Sequence, residues 1–285
     1  MERPLHKMLR SAVHVMAVCL FLCMTALKVF AENRDTIVVD NLLKTAGEKS
    51  AKGEVDSAEQ YYIKAGLLAS KLKFHAGFFR YASHYASMLY EKMRYHEALK
   101  ISEEQLALSL KIGDEKQTAR AYNNIALQYH ALGDFHKTAD YFIKALRLSE
   151  TLNDPLNQRK FYTNLASLFL DMKDKAKSLY YARKGYEVAK KMKDETQMAR
   201  SLVNLACAKI LNEHYDDATR DFLEVIAYGR RSGDIVLEIT GVINIADIHN
   251  RKKEYKNALL WNQKGLKMLN RDISGDYEIH ILAGL

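Results

Sequence analysis

Proline is almost missing from this sequence: Pro4 and Pro155 are the only two in 285 residues. That scarcity excludes a Pro-rich linker or polyproline segment and suits long, uninterrupted helices. Cysteine is nearly as rare. Cys19, Cys23 and Cys207 form no CxxC pair and no zinc-ligand spacing, so neither a dithiol redox motif nor a zinc knuckle is encoded. HExxH, GxSxG and a Gly-rich phosphate loop are all absent. The ten His residues are scattered without metal-ligand spacing. His130 and His136 lie close enough to meet across a turn, but a solvated or helix-capping role is the simpler reading. No catalytic residue, metal or cofactor is therefore expected, and the chain is read as a non-enzyme. No strand pattern matches the helical ones in strength.

One long apolar run is present, and it stands at the front. Arg3, Lys7 and Arg10 precede an uncharged stretch from Ser11 to Leu27, and Val29, Phe30 and Ala31 put small residues at the two positions a signal peptidase reads. Residues 1–31 are thus expected to be a cleaved signal peptide, with export to the periplasm. The alternative is an uncleaved membrane anchor, since the run is at the lower edge of what spans a bilayer. Lipid attachment at Cys19 or Cys23 is disfavoured by Val18 and Leu22, where a small residue would be wanted. Cleavage would leave Cys207 as the single thiol, so an exported chain would hold together by packing without an internal disulfide. The full chain carries a net charge of +8; removing the leader leaves 39 basic and 34 acidic residues, a net +5. That mild excess is dispersed along the chain. Dispersal and the export signal together argue against nucleic-acid binding and leave an acidic peptide or a negatively charged surface open.

The remainder repeats. Ala46, Ala86, Ala126, Ala166, Ala206 and Ala246 recur at a step of 40 residues, the signature of a solenoid. With this Ala as position 8, repeats start at about residues 39, 79, 119, 159, 199 and 239. Position 20 is again small, as Ala58, Ala98, Thr138, Ser178, Ala218 and Ala258. Small residues at both positions allow two antiparallel helices joined by a short turn to approach closely. Position 17 is mostly a ring, as in Tyr95, Phe135, Tyr215 and Tyr255, and is expected to fill the wedge where the second helix starts. Asp114, Asp154, Asp194 and Asp234 recur just before each new first helix, as N-caps or first-turn acids would. Pro155 falls where a first helical turn starts and its missing N–H costs little.

From Val39 to about Asn270 the chain resembles the tetratricopeptide repeat family in its longer, roughly 40-residue form. The third repeat matches best, with Tyr122, Ile125, Ala126, Tyr129, Gly133, Phe135, Phe142 and Ala145. Ala replaces the family's Gly at position 8, and the fourth repeat has Lys173 and Lys175 where Gly and an aromatic are usual. The weakly apolar first helix of the first repeat suits a terminal cap. The resemblance implies an all-α, right-handed α-solenoid of six helix-turn-helix repeats over residues 32–270. The six extra residues per repeat are expected to lengthen both the helices and the connections. Residues 271–285 are expected to form a C-terminal capping helix or the start of a truncated seventh repeat, and self-association through that helix stays open.

In this family the concave groove is lined by the first helices. Positions 2 and 6 share a helix face that looks away from the Ala at 8, at about 100° per residue. They read Arg80 and His84, Arg120 and Asn124, Lys160 and Asn164, Arg200 and Asn204, and Thr240 and Asn244. Asn can pair with both C=O and N–H of a peptide, and Arg or Lys adds charge-assisted bonds to a carboxylate. The resemblance implies that such ladders hold peptide backbone and clamp a terminal carboxylate. The competing reading is that the Asn residues bond to neighbouring repeats and the basic residues to local acids such as Asp114, Glu115 or Glu195. The expected function is a non-catalytic scaffold for a protein or peptide with acidic side chains or a free C-terminal carboxylate. Membrane contact would come only through an uncleaved leader or a membrane partner. The alternatives are a periplasmic sensory ectodomain of a membrane-bound signalling or regulatory protein and, from another class, an enzyme with a groove active site.

Overall fold

The computed structural model describes residues 36–269. The expected signal peptide and the expected C-terminal helix lie outside the described residues. Within them the chain is helical, with connections of two or three residues and no strand. No described helix is long and apolar enough to cross a membrane. Two compact units are present, the first ending at Leu108 and the second starting at Ser109.

The first unit contains α1 (36–51), α2 (Val55–Lys71), α3 (His75–Glu91) and most of α4 (Tyr95–Ile112). Only Val39, Leu43 and Ala46 of α1 are buried, as suits a terminal helix with one unpartnered side. Tyr62, Tyr81 and Tyr85 stack in its core, with ring centroids 5.6 and 5.7 Å apart. The Tyr85 hydroxyl donates to Glu59, and Arg94 grips the same carboxylate with two N–H groups at 2.7 and 2.9 Å.

The second unit runs through α5 (Glu115–Ala131), α6 (Phe135–Thr151), α7 (Pro155–Asp171), α8 (Lys175–Met192), α9 (Glu195–Leu211), α10 (Tyr215–Ser232), α11 (Ile235–Arg251) and α12 (Tyr255–Leu269). Successive helices pack pairwise, and the first helices of adjacent repeats also meet, α7 against α9 and α9 against α11. Both small columns are buried. Every Ala at position 8 and every residue at position 20 is at most 2% exposed, including Thr138 and Ser178 at 0%. A bulkier side chain at either position would push paired helices apart.

Helix starts follow the acids. Asp114, Asp154, Asp194 and Asp234 each accept the backbone N–H three residues on, at 3.0 to 3.2 Å. Asp134 and Asp174 do the same for the second helices of their repeats, and Pro155 is the first residue of α7. Each connection turns through a left-handed residue. Gly133 does so at φ 79°, where a Cβ would meet nothing within 4 Å, so glycine serves the backbone alone. Lys173 adopts the same conformation at φ 56°, at a cost of about 1 kcal/mol for a residue with a side chain.

Two expectations need correction. The extra residues of the long repeat lie in helices of 17 or 18 residues, while the connections stay at two or three. Length enters the helices because added turns extend the buried seam, whereas a longer loop would only add unpaired backbone. The rings at position 17 divide: Phe135 and Tyr215 pack against the core, whereas Tyr255 is 66% exposed. They lie over the end of the preceding helix, Tyr95 on Tyr90 at 5.3 Å and Phe135 on His130 at 5.6 Å.

Positions 11 and 23 add a second seal between the two helices of a repeat. Tyr129 stacks on Tyr141 at 5.7 Å and Phe169 on Tyr181 at 5.4 Å, each capped by a lysine, Lys137 or Lys177. In the next repeat the same two positions hold Lys209 and Asp221, an ion pair at 2.5 Å with both side chains less than 20% exposed.

Candidate functional site

Burial of Ala at position 8 fixes the rotation of each first helix, so positions 2 and 6 point away from the helix pair. Arg120, Lys160 and Arg200 are exposed, and Asn124, Asn164, Asn204 and Asn244 beside them are half-buried. These residues share one face of α5, α7, α9 and α11. Arg80 and His84 occupy the equivalent positions of α3 in the first unit.

The ladder is unevenly satisfied by the protein. Asn164 donates to Asn123 Oδ1 at 2.7 Å, a bond between adjacent repeats, and Asn123 in turn donates to Asn124 at 3.4 Å. Asn244 donates back to the Thr240 carbonyl at 2.8 Å, and its oxygen faces the Cys207 thiol at 3.8 Å. That thiol is unoxidised and pushed up to about 11, by burial first and then by Asp247. Asn204 makes no side-chain hydrogen bond to the described residues. Packing therefore accounts for Asn164 and Asn244 and leaves Asn204 to solvent or a ligand.

The basic positions divide the same way. Arg80 pairs with Asp40, which stands at position 2 of the preceding repeat, and its guanidinium lies over the Phe74 ring. Arg200 reaches Asp234 only at 3.9 Å. Arg120 and Lys160 form no ion pair with the described residues. Of the three acids named as local partners, Asp114 caps α5 and Glu195 pairs with Arg231 at 3.4 Å.

A fourth cation lies behind this face, on the side of α7 that carries the buried Ala at position 8. Arg159 stands at position 1, where every other repeat has a buried apolar residue: Val39, Phe79, Ala119, Ala199 and Ile239. Its Nε is shut away from water and has no hydrogen-bond partner. Burial lowers the Arg159 guanidinium pKa; Asp194 opposes the shift and Arg200 reinforces it. Lys160 is lowered as well, by burial and then by Arg120 and Arg159, although its side chain keeps contact with solvent. Exposed Arg120, Lys160 and Arg200 make the face positive.

Residues 78–151 and 117–191 match the tetratricopeptide repeat family model. The helix pairs, the buried small columns and this match agree. Over residues 78–191 the chain is a tetratricopeptide repeat protein.

Solved structures of tetratricopeptide arrays are similar in fold. A signal transduction ATPase with numerous domains and a tetratricopeptide repeat sensor, from Pyrococcus horikoshii, matches 82% of the chain at 20% identity and TM-score 0.67. The chain spans 36% of that protein's length. The apo form of RapI matches 82% of the chain and 85% of its own at 16% identity and TM-score 0.64. NprR in complex with its cognate peptide NprX matches 86% of the chain and 71% of its own at 14% identity and TM-score 0.56. No curated protein matches the sequence significantly.

Within this tetratricopeptide array, two polar residues behind that face escape a reading of positions 2 and 6. Arg159 is visible in the sequence as the lone charge in an apolar column. Asn123, fully buried at position 5, has no such signal, because its bond to Asn164 exists only once the repeats are stacked. His130, read as solvated or capping, instead holds Asp171 of the next repeat at 2.9 Å. No group of three His, Cys, Asp or Glu among the described residues could hold a metal ion.

Proposed function

We propose that this tetratricopeptide array is a scaffold that binds a peptide or protein segment along the positive face of α5, α7, α9 and α11. The observation carrying the reading is the weakly compensated positive charge there: among the described residues, Arg120, Lys160 and Arg200 are met by a single long contact, Arg200 to Asp234. Gathering like charges costs free energy in the empty protein, and an anionic ligand relieves it. The partner is accordingly an extended segment with acidic side chains or a free C-terminal carboxylate. Asn204 offers a donor and an acceptor to its backbone. Arg80, already matched by Asp40, and the exposed His84 are not needed for this reading. NprR, solved with a bound peptide, supports it at the level of fold, and the tetratricopeptide repeat sensor of the Pyrococcus ATPase makes a sensory use of this fold a second reading. The leader-like residues 1–31 favour a location outside the cytoplasm.

The test is a titration of acidic peptides, with free and with amidated C-termini, against the wild type and a triple variant, Arg120→Ala, Lys160→Ala and Asn204→Ala. These three residues have no ion pair or side-chain hydrogen bond in the described residues, so the variant should melt like the wild type. Each lost charge-assisted contact is worth on the order of 1.5 to 3 kcal/mol, so binding should fall by at least about a hundredfold. Equal binding by both proteins would refute the proposal.

A further inference from the structure

On the opposite side of α9 from Arg200 and Asn204, a cavity of about 230 Å³ opens between α8, α9 and α10. Glu195, Met198, Ala199 and Leu202 line it at helical spacing, which places them on one face of α9. Its origin is a volume deficit. Ala199 stands where the second and sixth repeats carry Phe79 and Ile239, and across from it Ala227 of α10 is equally small.

The floor is apolar, formed by the buried Ala199, Leu202 and Val225, and the rings of Tyr186 and Tyr228 stand at the wall. Three charges rim the opening. Two answer each other, since Arg231 pairs with Glu195 at 3.4 Å and lies over the Tyr228 ring at 5.7 Å. The third, Glu224, has no partner among the described residues. A well of this size exceeds the roughly 150 Å³ that houses a benzene molecule in an engineered protein cavity. Ring faces beside an unmatched carboxylate attract a cation attached to an apolar body. Burial raises the Tyr186 hydroxyl pKa, and Glu224 and Asp221 raise it further, so the mouth of the well is negative.

We propose that this cavity is a second binding site, distinct from the positive face, for an arylalkyl cation: the ring fills the well and the ammonium group meets Glu224. Such a group occurs in a small aromatic amine or at the aromatic N-terminus of a peptide.

The experiment titrates the full chain with 2-phenylethylammonium, the neutral 2-phenylethanol and the anionic 3-phenylpropanoate at millimolar concentrations, followed by NMR or calorimetry. The cation should saturate and bind most tightly. Glu224→Gln should weaken it about tenfold while leaving the weak binding of the alcohol unchanged. Ala227→Leu, an exposed position on the rim, should block all three probes without changing helicity, and neither variant should alter binding of acidic peptides. Equal affinity for cation and alcohol, preference for the carboxylate, failure of the cation to saturate, or indifference to Glu224→Gln in a folded variant would each overturn the proposal.

Discussion

Asp154 shows how much one residue of the repeat can carry. Its carboxylate accepts the Asn157 backbone N–H at 3.2 Å and the Asn157 side-chain amide at 2.8 Å, and Lys116 of the preceding first helix approaches to 3.6 Å. Burial raises its pKa, but these donors outweigh burial and leave it below the usual 3.8. Asp154→Ala should therefore cost about 1 kcal/mol in urea unfolding at neutral pH, while Asp154→Asn, also a good cap, should cost less. A lowered folded-state pKa stabilises above the unfolded value, and that contribution is lost as pH falls through the folded one. The stability difference between the wild type and the Asp154→Ala variant should thus be full above about pH 5 and shrink as pH falls below the ordinary carboxylate range. The cap itself was legible, because Asp before a helical run needs only local sequence. Its contact with Lys116 was not.

Elements are joined differently in different repeats although the period is constant. Tyr129 with Tyr141 and Phe169 with Tyr181 seal the helix pair by stacking, whereas Lys209 and Asp221 do so by charge. Burial raises the Asp221 carboxyl despite the ammonium beside it, so desolvation exceeds the attraction it gains. Lys209→Met alone should destabilise by about 2 kcal/mol, since it strands a half-buried carboxylate. The double change Lys209→Tyr and Asp221→Tyr, which imports the stack of the third repeat, should restore wild-type stability or better. A double-mutant cycle by denaturant unfolding measures this coupling directly. The sequence shows Tyr, Tyr, Phe, Tyr, Lys and Asp at these positions, but only the packed pair reveals that they solve the same problem.

Across the array, stability in stacked repeats is a sum of repeat and nearest-neighbour terms. Ala166 is fully buried in the cluster that holds Ala182 and Ala199. Ala166→Leu should force α7 from α8, with a local overpacking cost of about 1 to 3 kcal/mol. Hydrogen exchange should accelerate in α7, α8 and α9 and keep its protection in α11 and α12. Uniform loss across the second unit would instead mean that it unfolds as one cooperative block.

The period, the all-α class, the buried Ala column, the N-caps and the rotation of each first helix were all written in the order of the residues. They follow from backbone hydrogen bonding and from spacings shorter than one helix pair, which every repeat encodes within itself. Stacking settled the rest among the described residues: that Asn164 is already bonded there and Asn204 is not, that Arg80 is matched while Arg120 and Lys160 form no ion pair there, that the buried Arg159 Nε meets no acceptor there, and that a cavity opens behind Ala199. Each of those outcomes depends on which side chains meet between neighbouring helices, some 30 to 40 residues apart in the chain. A repeat specifies its own helices, but the partner that satisfies or abandons a charge belongs to the next repeat.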